Sequence, residues 1–126
     1  MGEANRTICL LELDEPLERV LTAQLEHEGY RTQRGASLQA VAMTEPSPAA
    51  VVVDLDSLDP RSWGEDVTWL VRCGRRAPVV VLASDRISPR RAESLEGAAI
   101  LYKPFTLAEL RSRLADCLPV HCGVGR

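Results

Sequence analysis

The sequence predicts an α/β fold, a doubly wound parallel sheet of five strands built from five successive βα units. Three observations predict it. Four apolar runs of four to seven residues, with one short polar run between the first two, alternate with amphipathic stretches at helical spacing. The runs at 7–11, 49–55 and 78–83 are continuously apolar but for Thr7 and Asp54 at or near their ends, rather than alternating, as in strands covered on both faces. The connections are short, and strict βα alternation implies parallel strands with helices on both sides. At 126 residues the chain has the length of one ordinary domain, and with 45% apolar residues it can bury a real core.

The first run, Thr7-Ile-Cys-Leu-Leu11, reads as a buried strand with Cys9 as a small core residue. Leu17, Val20, Leu21 and Leu25 then recur at helical spacing, and Gly29 is a helix stop. Tyr30 to Arg34 reads as a short polar edge strand. Ser37 caps a weak helix through Leu38, Val41 and Ala42, which ends at the Pro46/Pro48 turn region. Ala49 to Leu55 is the strongest strand. A loop holding Asp59-Pro60, Trp63 and Gly64 follows, then a helix with Val67, Trp69, Leu70 and Val71 that runs to Gly74. Trp69 is expected in the core and Trp63 in the loop near the strand ends. Pro78 to Ala83 is the fourth strand; Ser88-Pro89 opens a short helix and Gly97 closes it. Ala99 to Tyr102 is the fifth strand, and Thr106 caps a last helix with Leu107, Leu110, Leu114 and Leu118. The expected organisation is one domain over residues 1–118, with no output domain of its own, and a flexible tail over 119–126.

Composition narrows the function. Net charge is −3, which argues against nucleic-acid binding through a basic surface. No apolar run approaches the roughly 18 residues of a membrane span, and no signal-peptide pattern opens the chain, so a cytoplasmic address is expected. Four scattered cysteines do not make a disulfide scaffold, and Cys117 and Cys122 with His121 lack the fourth ligand of a metal site. Of the 15 basic residues only Lys103 is lysine. Codon bias accounts for the arginines but not for the single position that keeps a compact, flexible point charge. Arg75-Arg76, Arg86 and Arg90-Arg91 read as a solvated basic face around the third and fourth helices.

In open α/β sheets, ligands sit at the carboxyl ends of the strands. Those ends carry Glu12-Leu13-Asp14-Glu15, Asp54, Ala83-Ser84-Asp85 and Lys103-Pro104. Carboxylates from two strand tips suit Mg²⁺, and a lysine opposite them suits a phosphoryl oxygen. An aspartate at a strand tip is also a nucleophile able to form an acyl phosphate, or else simply the cap of the next turn. A flavodoxin-like cofactor carrier is disfavoured, because 12–16 is acidic, lacks glycine and would repel a phosphate.

The apolar strand ending in Asp54, the triplet Lys103-Pro104-Phe105, Gly29-Tyr30 and the acidic end of the first strand together resemble the receiver domain of bacterial two-component response regulators. The resemblance spans about residues 6–118 and implies a CheY-like sheet of order 2-1-3-4-5. It implies Asp54 as phosphoacceptor, Lys103 and Ser84 as phosphate-binding residues, and a cis peptide before Pro104. It also implies Mg²⁺ held by Glu12, Asp14, Asp54 and the main-chain carbonyl of Asp56. The implied partners are a sensor histidine kinase or phosphotransfer protein, with homodimerisation at the fourth-helix face and no enzyme activity beyond self-phosphorylation and autodephosphorylation.

Three positions depart from the family pattern. A gapless alignment puts Leu13 where a direct Mg²⁺ ligand belongs; a one-residue slip would put Asp14 there. Ala83 replaces the hydroxyl residue at the tip of strand four, and Ile100 replaces the aromatic switch of strand five. The alternative reading is therefore a degenerate receiver that serves as a phosphorylation-independent docking or dimerisation module.

Overall fold

The computed structural model describes residues 6–58, 60–84, 89–95 and 97–118. Strands β1 (Thr7–Leu11), β2 (Arg31–Arg34), β3 (Ala50–Asp54), β4 (Val79–Ala83) and β5 (Ala99–Tyr102) form one sheet in the order β2-β1-β3-β4-β5. Every neighbouring pair is parallel. The helices are α1 (Glu15–His27), α2 (Leu38–Ala42), α3 (Trp63–Arg76), α4 (Pro89–Ser94) and α5 (Leu107–Cys117). The expected fold class and strand order are those observed.

The continuous apolar runs have a direct cause in the pleat. Odd positions Cys9, Leu11, Val51, Val53, Val79 and Val81 face one side, where Leu38 and Val41 of α2 and Leu70 and Cys73 of α3 cover them. The alternate positions Ile8, Leu10, Ala50, Val52, Val80 and Leu82 face the other side, against Leu21 and Leu25 of α1 and Leu110 and Leu114 of α5. Each fully buried Leu, Ile or Val contributes about 1.5–3 kcal/mol over its exposed state, so the central strands anchor the sheet. The polar β2 lies at the edge, tied to α1 by the Arg34–Glu18 ion pair.

Local signals set the helix ends. Gly29 takes φ +94 after α1 and Gly97 takes φ +89 after α4, conformations that favour glycine. The Ser37 hydroxyl accepts from the Ala40 N–H, and Thr106 and Glu109 form a reciprocal capping box on α5.

Several expectations need correction. Gly64 and Gly74 lie inside α3, which starts at Trp63 and ends at Arg76. Packing of Leu70 and Cys73 on the sheet outweighs the roughly 1 kcal/mol that each interior glycine costs. Trp63 is thus not a loop residue; it is half-buried, packs on the α3-side core and carries the Arg91 guanidinium 4.8 Å above its ring. Trp69 is also only half-buried, with Arg72 at 4.9 Å. Val20, counted on the inner stripe of α1, is 51% exposed. Leu55 leaves β3 and opens a 3₁₀ turn over Leu55–Ser57, with a second turn over Pro60–Ser62. Arg76 is not part of a free basic face: its guanidinium donates to the Ala42 and Thr44 carbonyls and pairs with Glu45. The tail at 119–126, with His121 and Cys122, and Asp59, Asp85, Arg86 and Ser88 lie outside the described residues.

Candidate functional site

Parallel register brings three strand ends to one edge. Asp54 pairs with Leu82 across β3 and β4, and Ala83 with Tyr102 across β4 and β5. One step further, the Lys103 N–H donates to the Ala83 carbonyl at 2.8 Å and keeps the lysine in line as it leaves the sheet. The Lys103–Pro104 peptide is cis, and Phe105 beyond it packs on the α1/α5 core.

Asp54 is the only buried charged residue among the described residues, at 1% exposure. A carboxylate so placed must be compensated. Lys103 Nζ donates to Asp54 Oδ2 at 2.7 Å, and the Asp56 N–H donates to Oδ1 at 2.9 Å. Asp54 therefore caps the 3₁₀ turn and pairs with the lysine at once, each of its oxygens held by a different donor. The Coulomb attraction fixes the orientation of the carboxylate, and an ammonium so placed can offset further negative charge at this edge.

The Asp56 side chain completes the arrangement. Its Oδ2 lies 3.0 Å from Lys103 Nζ, and its two oxygens accept from the Ser84 N–H at 3.0 and 3.2 Å. Burial pushes its carboxyl up, but hydrogen bonds from Lys103 and from the backbone and hydroxyl of Ser84 outweigh that and leave it below the ordinary range. For Lys103, burial works against the charged form, yet the two carboxylates hold its pKa above the usual value. Sequence reasoning gave Asp56 only a main-chain role. The period of the 3₁₀ turn, which returns its side chain toward β4, is not readable from residue types.

The remaining acidic residues do not join this group. Glu12 is exposed at φ 61, with its carbonyl accepting from the Ser57 hydroxyl at 3.0 Å. Asp14 stands exposed at the N-cap of α1 and makes no side-chain cap bond. Leu13 packs on the α1/α5 core. Among the described residues no three Asp, Glu, His or Cys side chains group to hold a metal ion. Asp54 and Asp56 meet, but an ammonium bridges them, so the donor set as it stands does not fit Mg²⁺. Ala83 is buried and contributes only its carbonyl, and Ile100 packs into the α2/α3 core. Tyr102 shares Ile100's face of the pleat, but at the strand end it is exposed.

The sequence matches no protein-family model, and no curated protein matches it. Solved structures do. The non-phosphorylated HemR receiver domain from Leptospira biflexa is 25% identical, with 93% of this chain and 97% of that one covered at a TM-score of 0.72. A response regulator receiver protein from Sinorhizobium medicae is 19% identical over 90% of this chain and 94% of its own, at a TM-score of 0.69. The beryllofluoride-activated NtrC4 receiver domain dimer is 17% identical over 90% and 96%, also at 0.69. The chain has the fold of response-regulator receiver domains, over nine-tenths of its length. Among the described residues no helix is long and apolar enough to cross a membrane.

Proposed function

We propose that this chain is a receiver module that accepts a phosphoryl group on Asp54 from a phosphohistidine of a sensor kinase or phosphotransfer protein. The single observation that carries the reading is the 2.7 Å pairing of the one lysine with the only buried carboxylate among the described residues, at the carboxyl edge of the sheet. In the transfer, an Asp54 oxygen forms a P–O bond as the donor's P–N bond breaks. The imidazole leaves with the electron pair and takes a proton from water. Lys103 stays protonated and offsets the added charge, a role that its raised pKa supports. Apart from this self-modification the module transmits signal through protein contacts, and a cytoplasmic address goes with that role. The likeness to a receiver domain solved as a dimer supports homodimerisation, which the same reading assigns to the α4 face.

The test is to incubate the protein with a small phosphodonor and weigh it intact. Gain of one phosphoryl group in the wild type, and none in Asp54→Asn, is the expected result. No gain under any donor leaves the docking module as the reading.

A further inference from the structure

The Asp56 carboxylate is an anion seated on the very groups that a phosphoryl group on Asp54 would need. The ammonium is Lys103 and the second donor is the Ser84 main-chain N–H at the tip of β4, a direction fixed by the backbone. An ammonium together with a main-chain N–H is a donor set that binds phosphoryl oxygens. The Asp56 N–H in turn donates to Asp54 Oδ1, which pins the 3₁₀ turn to the acceptor and delivers the second carboxylate two residues beyond it. Because Asp56 is partly exposed, its carboxylate can swing into solvent without breaking the fold.

We propose that Asp56 is an internal stand-in anion that occupies the phosphoryl-oxygen seat formed by Lys103 and Ser84, so that Asp54 is phosphorylated only as the Asp56 carboxylate is displaced. The inference rests on Asp54 as acceptor and adds how access to it is regulated. An incoming phosphoryl group meets two carboxylates and one ammonium, and the resulting repulsion disfavours free anionic phosphodonors. A donor delivered on a protein surface that offers its own cation to Asp56 is favoured instead.

The experiment compares the 126-residue wild type with Asp56→Asn and Asp56→Ala, using two readouts. One is the rate of phosphoryl gain from phosphoramidate by intact mass; there the P–N bond breaks, ammonia leaves and an Asp54 oxygen forms the new P–O bond. The other is titration with inorganic phosphate, followed at the Ser84 backbone amide by NMR. Both variants are expected to label about tenfold faster and to respond to phosphate at about tenfold lower concentration. Equal rates in labelled proteins, or an equal phosphate response, overturn the proposal. If no protein is labelled, the acceptor reading falls by itself, and the phosphate titration alone decides whether Asp56 holds the seat.

Discussion

Replacing Lys103 with methionine should leave the Asp54 carboxylate buried with one donor fewer, and its cost follows from the geometry. At the 2.7 Å separation, the pair attracts by about 6 kcal/mol at an effective dielectric near 20 and about 1.5 kcal/mol in water. Stranding one partner of a fully buried pair costs about 3–5 kcal/mol. The Lys103 side chain is 28% exposed, so solvent screens part of the attraction and reaches the stranded carboxylate. We therefore expect Lys103→Met to lose about 2 kcal/mol at pH 7. Urea unfolding followed by the fluorescence of Trp63 and Trp69 measures it. The decisive comparison is the cycle with Asp54→Asn, which leaves no buried charge behind. In that background Lys103→Met should cost about 0.5 kcal/mol or less. A single mutant as stable as wild type, or an equal loss in both backgrounds, would refute the claim that this lysine compensates a buried charge.

Three further outcomes are expected. Leu13 packs on the α1/α5 core, so Leu13→Asp should strip apolar contact there and cost about 1–2 kcal/mol in urea unfolding; wild-type stability would show that this contact carries no stability. Glu18 has its carboxyl pulled below the ordinary range by the hydrogen bond from Arg34, so the unfolded chain binds protons before the folded one. The stability from this pair is present above the unfolded value of about 4.3 and is lost as pH falls through the lower folded value, so Glu18→Gln should flatten the acid limb of a stability–pH profile; an unchanged limb would contradict it. Gly35→Ala would place a Cβ 2.7 Å from Val41 Cγ2 and 3.0 Å from Leu11 Cγ, both on buried residues, and thermal unfolding should show a loss of about 1–3 kcal/mol; wild-type stability would show that the core yields there.

The sheet was legible because its signal is coarse. Val51 to Val53 and Val79 to Val81 are buried on both faces, so apolar runs mark strands without any pattern to phase. Gly29 and Gly97 marked helix stops because the chain there needs a positive φ. Gly64 and Gly74 misled for the complementary reason: where tertiary packing carries a helix, glycine is merely a cost. At the site, Asp54 and Lys103 were readable from their places at strand ends. The inward turn of Asp56 was not, since it depends on a 3₁₀ turn and on the Ser84 N–H that receives the carboxylate. Nor was the structural use of Arg76, whose acceptors are carbonyls more than thirty residues away in sequence.

The central claim is that Asp54 is the residue that carries the phosphoryl group. Its most direct test is to treat the phosphodonor-exposed protein with borohydride, which reduces an acyl phosphate to the alcohol, and to locate the altered residue by peptide mass spectrometry. The account predicts conversion at residue 54 and nowhere else, absent from Asp54→Asn and from protein never exposed to the donor. Conversion at Asp56 or Glu12, or no converted residue, would contradict it.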